Sequence, residues 1–191
     1  MRWTIEAAAA HEDAMKSTEL PSSFSLDQLA GDLAIQEEVD FRRQWPNPVL
    51  LVHSIPPIDT EDIIINTEIT DLKDHERSAV RPDHRQVIPL AKSGNNQYTA
   101  RITVGRARNN DIVIRASKIS KLHAMFVPDE AGHYSLMDMG SMNGTEVNGR
   151  RLQPKESVLL KSGDHLVFWR CAFEYLEPDD FIAMLRRHAQ K

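Results

Sequence analysis

Asp138-Met139-Gly140-Ser141-Met142-Asn143-Gly144-Thr145-Glu146-Val147-Asn148-Gly149 is the stretch from which the fold is read. It closes on Asn148-Gly149, a strong two-residue hairpin signal, because a type I′ turn requires positive φ at both central positions. Moving outward, short strand candidates punctuated by turns lie on both sides. Upstream, Tyr98, Ala100, Ile102 and Val104 alternate with Thr99, Arg101 and Thr103, the period-two pattern of a half-buried strand. Further candidates cover residues 87–91, 112–114, 122–127, 134–137, 158–160, 166–168 and 172–176. Ser93-Gly94-Asn95-Asn96 and Ser162-Gly163-Asp164 read as turns. Many short strands at regular spacing predict an all-β sandwich over residues 83–177. Asp179 or Asp180 then starts a short helix within 178–191, with Arg186, Arg187 and His188 in its last turn, where cations suit the dipole.

The N-terminal part reads differently. Residues 1–24 are polar, Ala-rich and Ser-rich and are read as disordered or loosely helical. Ser25 with Gln28 matches a capping box, and Leu26, Leu29, Ala30, Leu33 and Ala34 follow the helical stripe that Pro46 and Pro48 terminate. The stripe is read as a packing face in preference to a partner-binding helix. Residues 49–52 and 63–65 are short strand candidates. Residues 25–82 as a whole are taken as a helix plus linker, with 54–82 mostly linker.

Charge divides the chain in the same way. Residues 1–80 carry 6 Lys/Arg and 16 Asp/Glu, whereas residues 81–191 carry 17 and 12. An acidic half thus precedes a basic one, and the two attract at low ionic strength. The basic excess is small and scattered through strands, with neither recognition helix nor aromatic platform, which argues against nucleic acid. No apolar run approaches the roughly eighteen residues of a membrane span, and Glu6, Glu12 and Asp13 interrupt any export signal. The single cysteine, Cys171, cannot form an internal disulfide. That fits a reducing cytoplasm.

Three clusters carry chemistry: Gly105-Arg106, Ser120-Lys121-Leu122-His123-Ala124, and the stretch from Asp138 to Gly149. Each falls at a strand–loop junction, and loops at one end of a sandwich converge. Arg106 offers a planar fork of donors suited to phosphate oxygens, Ser120 a hydroxyl and Lys121 a point charge. Asn143 has an amide able to grip a peptide backbone. Ser120 and His123, if on one strand, project to opposite faces and cannot form a nucleophile–base pair. His123, His133, Asp138 and Cys171 lack any recognised metal-ligand spacing. Donors without a base bind an anion and do not cleave it, so neither an enzyme nor a cofactor is expected.

Taken together, Gly105-Arg106, Ser120-Lys121-Leu122-His123-Ala124, Gly140-Ser141-Met142-Asn143-Gly144-Thr145, Val147-Asn148-Gly149 and Gly163-Asp164 resemble the signature of the forkhead-associated (FHA) domain, in its order, over residues of about 85–177. The resemblance implies an eleven-stranded β-sandwich whose loops hold phosphothreonine. It gives Arg106 and Ser120 the phosphate, Lys121 an added charge and Asn143 the peptide main chain, with Gly105, His123, Gly144 and Thr145 bracing the loops. Lys118 falls where the third residue after the phosphothreonine is read. Met142 departs from the pattern, for that position often carries a polar residue. The implied role is a phosphothreonine-dependent adaptor in Ser/Thr kinase signalling, with a phosphothreonine-containing protein, a kinase or its substrate as partner. The alternative is a phosphate-independent docking or self-association module. Asp59-Thr60-Glu61-Asp62 places Thr60 as a candidate phosphosite of the chain itself, which could occupy the Arg106 site of its own or a second chain.

Overall fold

The computed structural model describes residues 24–56, 86–94 and 96–190. The expected disorder of residues 1–24 (Phe24 apart), the strand at 63–65 and Thr60 lie outside them. The described residues form twelve strands and three helices. The strands are β1 (Phe24–Ser25), β2 (Val49–Ser54), β3 (Gln86–Pro89), β4 (Ile102–Gly105), β5 (Ile112–Val113) and β6 (Ala124–Pro128). They continue with β7 (Tyr134–Asp138), β8 (Thr145–Val147), β9 (Arg150–Arg151), β10 (Ser157–Leu159), β11 (His165–Phe168) and β12 (Cys171–Leu176). The helices are α1 (Leu26–Ile35), α2 (Glu38–Gln44) and α3 (Pro178–Ala189). Eleven strands are implied by the resemblance, and the twelfth is the two-residue edge β1 from the N-terminal extension.

The strands build two sheets, one in the order β1-β3-β2-β12-β11-β8-β9 and the other β10-β7-β6-β4-β5. Between them lies a core to which both contribute, including Leu50, Val52, Phe168, Phe173 and Tyr175 from the larger sheet and Ile102, Val104, Phe126 and Leu136 from the smaller. Alternation along β2 sends Leu50 and Val52 into this core and Val49 and Leu51 to the opposite face. There a second core forms with Leu26, Leu29, Phe41, Trp45, Phe181, Ile182 and Leu185 of the helical layer. The stripe on α1 is therefore a packing face. Trp45 stacks with Phe41 and meets Phe24 edge-on. Ion pairs join the helices at the surface, Arg42 with Asp179 at 2.5 Å and Arg186 with Glu38.

Three sequence readings are corrected. Val49–Ser54 is not outside the sandwich: it pairs with β12 on one side and β3 on the other. The helix read from Ser25 up to the stop at Pro46 and Pro48 breaks after Ile35, and no side-chain cap forms at Ser25, whose extended backbone pairs with Gln86. The strand read from Tyr98 begins only at Ile102. The reason is Asp111, whose buried carboxylate accepts from the Thr103 N–H (2.8 Å), the Thr103 and Ser93 hydroxyls, Asn96 and the Lys92 ammonium (2.8 Å). These bonds curl the preceding residues around it. Burial by itself would raise the Asp111 pKa, but the bonds to Lys92, Thr103, Ser93 and Asn96 outweigh it and hold the carboxyl far below the usual range. The Asn148-Gly149 hairpin forms as read, with φ of 51° and 76°.

Because the helical layer shares β2 and β12 with the sandwich, the two unfold together. Phe181→Ala should lower stability by about 3 kcal/mol, as expected for a buried aromatic. Urea unfolding followed by Trp fluorescence and far-UV circular dichroism should give one coincident transition; two separate transitions would show the layers to be independent.

Candidate functional site

The three clusters meet at one end of the sandwich. Arg106 follows the last residue of β4, Ser120 to His123 precede β6, and residues 139–144 join β7 to β8. Antiparallel register of β4 with β6 and of β6 with β7 brings these junctions to the same end. The main chain ties the first two together, since Arg106 N donates to Ser120 O at 3.0 Å. That close approach explains Gly105: a Cβ there would run into the Lys121 carbonyl oxygen and lie 2.9 Å from Asn110 Nδ2. Asn110, buried and unnoticed in the sequence, donates to both Ala107 O (2.8 Å) and Lys121 O (2.6 Å), clamping the first loop onto the second.

His123 connects the second loop to the third. It is fully buried. Its Nδ1 accepts from Ser120 N–H at 3.2 Å, and its Nε2 lies 3.1 Å from the Gly144 carbonyl oxygen. A carbonyl can only accept, so the proton sits on Nε2 and the ring is neutral. Burial pushes the imidazole below its ordinary 6.5, against the opposing pull of the Gly144 bond and the Asp138 carboxylate. Both ring nitrogens are thereby committed to backbone groups. Ser120 lies in the loop and not on a strand with His123, so this engagement, and not opposed strand faces, is what denies Ser120 a base.

Asp138 shapes the third loop. Its carboxylate accepts from Gly140 N (2.7 Å), Ser141 N (3.0 Å), Ser141 Oγ (2.6 Å) and Thr145 Oγ1 (2.7 Å). Burial opposes ionisation, but these bonds outweigh it and lower the pKa. Thr145 is fully buried. An Asp followed two and three residues later by Gly and Ser is a recognisable Asx-turn pattern that could have revealed this role.

The remaining side chains face solvent. Arg106 is exposed, and among the described residues its guanidinium has no partner. Ser120 Oγ accepts from Met142 N at 3.1 Å, leaving its own hydrogen free to donate. Asn143 Nδ2 donates to Lys118 O at 2.6 Å, which uses one of its four hydrogen-bonding positions and anchors the Lys118 backbone beside it. The Met142 side chain is 86 % exposed and contributes only its backbone to these contacts. Arg108, Arg115, Lys118 and Lys121 are also exposed, whereas Asp111, the one acid among residues 102–123, is buried and paired with Lys92. The exposed charges contributed by residues 102–123 are therefore all cationic. Among the described residues no three His, Cys, Asp or Glu side chains converge on a metal position.

A β-sandwich presenting cationic and hydroxyl donors on braced loops has the chemistry to hold an anion. Residues 102–169 match the FHA domain family model, and this segment of the chain is an FHA domain. An FHA domain-containing protein of Arabidopsis thaliana is 41% identical over 64 residues, covering 33% of this chain and 16% of that protein. The transcriptional regulatory protein EmbR of Mycobacterium tuberculosis is 36% identical over 63 residues, again 33% of this chain and 16% of the relative. The matched segment thus spans a small part of these relatives. Among solved structures, the N-terminal FHA domain of Saccharomyces cerevisiae Rad53, in complex with a phosphothreonine peptide, is 23% identical with a TM-score of 0.42, covering 51% of this chain and 89% of that one.

Because the neutral His123 ring is preferred only in the folded state, its contribution is fully present above about pH 6.5 and is lost as pH falls below that value. The melting temperature of the free chain should therefore drop between pH 7.5 and 5.5. His123→Gln should be less stable at pH 7.5 but show a shallower decline. Parallel pH profiles for the two proteins would remove the neutral ring from its bracing role.

Proposed function

We propose that this chain is a phosphothreonine-dependent protein-binding module, an adaptor in Ser/Thr kinase signalling that acts by binding and not by catalysis. The observation that carries this reading is the exposed Arg106 guanidinium, partnerless among the described residues, on a backbone bonded directly to that of Ser120, whose hydroxyl keeps a free donor. A phosphothreonine brings a charge of about −1.5 to −2 and three acceptor oxygens, which such donors fit. Lys121 adds charge, and Asn143, with an acceptor and a donor remaining, holds the peptide main chain. Lys118, its backbone fixed by Asn143, reads an acidic residue further along the segment. The partner is a phosphothreonine-containing protein, either a kinase or its substrate. A cytoplasmic setting belongs to the proposal. Its support is Cys171, a buried free thiol pushed up to about 11 by desolvation, and the lack of any helix among the described residues long and apolar enough to cross a membrane.

A phosphothreonine peptide library screened against the full chain tests this. Arg106→Ala should abolish phosphate-dependent binding without changing the melting temperature. Ser120→Ala should weaken binding about tenfold, near the lower end for a charge-assisted hydrogen bond. Lys118→Glu should remove a preference for Asp and Glu at one position. Full affinity in Arg106→Ala would refute the reading.

Thr60 enters as a proposed ligand of the same site. Its segment is bounded by Pro56 and Gln86, and the antiparallel register places the end of β2 and the start of β3 at the end of the sheet that carries Thr145 and Cys171, the recognition end. A tethered phosphothreonine competes at an effective concentration near mM. Chain phosphorylated at Thr60 should bind an external phosphopeptide more weakly, or run at twice the mass in solution, than unmodified chain. No change in either quantity would exclude Thr60.

A further inference from the structure

Arg150 and Arg151 are neighbours on β9, and strand alternation sends their side chains to opposite faces. Arg150 is committed, with Nη1 2.8 Å from Glu156 Oε1. Arg151 is exposed, and among the described residues it makes no hydrogen bond or ion pair. Its direct cross-strand neighbour is Glu146, an available carboxylate, yet the two form no ion pair. The guanidinium lies instead over Gly144. A Cβ built on that glycine would be 2.5 Å from Cζ, Nε and Nη2 alike. Equal distances to three atoms of one plane mean that the plane rests face-on against the glycine. Face contact consumes none of the five N–H donors, which point outward in the plane of the ring of nitrogens.

Gly144 makes this arrangement available twice over. Its φ of +86° is a conformation that side-chain-bearing residues rarely adopt, and any Cβ would evict the guanidinium. The perched group stands next to Asn143. Arg106 reaches the 139–144 loop from the smaller sheet through Ser120 and Met142. Arg151 reaches the same loop from the edge strand of the larger sheet. The loop proposed to hold the peptide main chain is therefore tied by its backbone to the Arg106 junction on one side and carries the Arg151 guanidinium on the other, and both arginines are exposed and unpaired among the described residues.

We propose that Arg151 is a specificity-determining residue that receives an acidic side chain of the bound segment, at a position distinct from the one read by Lys118. The inference rests on the phosphothreonine reading of the site. A planar fork with all its donors free matches a carboxylate bidentately, a geometry that lysine cannot reproduce. With no anion among the exposed side chains of residues 102–123, the surrounding rim favours the same acidic segment.

The test uses the full chain and two probes. One is a phosphothreonine peptide flanked only by alanine, and the other is a library randomised at each flanking position. Wild-type chain should enrich Asp or Glu at two positions. Lys118→Glu should erase one and Arg151→Ala the other. For a peptide carrying the second acid, Arg151→Ala should lower affinity about tenfold, while the alanine-flanked peptide binds both proteins equally. Arg151→Lys should recover only part of the loss. Acidic enrichment unchanged in Arg151→Ala overturns the assignment and leaves the phosphothreonine site intact. An equal loss for both peptides would show that Arg151 merely supports the loop, and also overturns it. If wild-type chain binds no phosphothreonine peptide while unphosphorylated controls behave identically, the reading of the whole site falls, and this assignment with it.

Discussion

A single neutral imidazole sets the distance between two loops that have to cooperate. His123 bridges the Ser120 N–H and the Gly144 carbonyl from a fully buried position. Everything that faces solvent at this end is placed relative to those two backbone groups. Ser120 Oγ meets Met142 N across the gap, and Asn143 reaches back to Lys118 O. Neither contact survives if the loops drift by an ångström, since hydrogen bonds weaken steeply beyond their usual range. Asn110 and Asp138 extend the same logic, the first spending both amide donors on backbone carbonyls and the second accepting from two backbone N–H groups and two hydroxyls. The exposed donors remain unspent because buried ones have done the bracing.

The division between buried and exposed polar groups matches the division of labour between the sheets. The smaller sheet supplies most of the recognition loops, and the larger one supplies the support. The face of the larger sheet turned away from the sandwich core is covered by the three helices, with Phe41, Trp45 and Phe181 forming an aromatic cluster over Val49, Leu51, Val87 and Leu176. The described residues 24–54 are consequently not an appendage. Its Val49–Ser54 strand is buried on both faces over its first four residues, which is the signature of an interior strand.

The sandwich, the hairpin at Asn148-Gly149 and the convergence of the three clusters could be read from the sequence, because each rests on local chemistry: period-two alternation, a turn that needs positive φ, and motifs in a recognisable order. What escaped was set by long-range packing. Val49–Ser54 looked like an isolated strand because its partners, Gln86–Pro89 and Cys171–Leu176, lie far along the chain. The alternation from Tyr98 promised a strand that Asp111 prevents, and one aspartate in a run of polar residues carries no hint of its burial. Ser25 fits a capping pattern, but its backbone is recruited into the sheet. Asn110 and Arg151 were invisible for the same reason: one is defined by two carbonyls it clamps, the other by a glycine seven residues away that leaves it room.

Residues 55–85 connect β2 to β3, which are adjacent antiparallel strands. A two- or four-residue turn would close them. Closing a longer connection costs entropy that grows only logarithmically, by about 0.6 kcal/mol for each doubling of length. The register of the sheet is held by its own cross-strand pairs and gives no foothold to what happens between them. By loop-closure entropy alone, the length of the connection between β2 and β3 is therefore a weakly constrained variable.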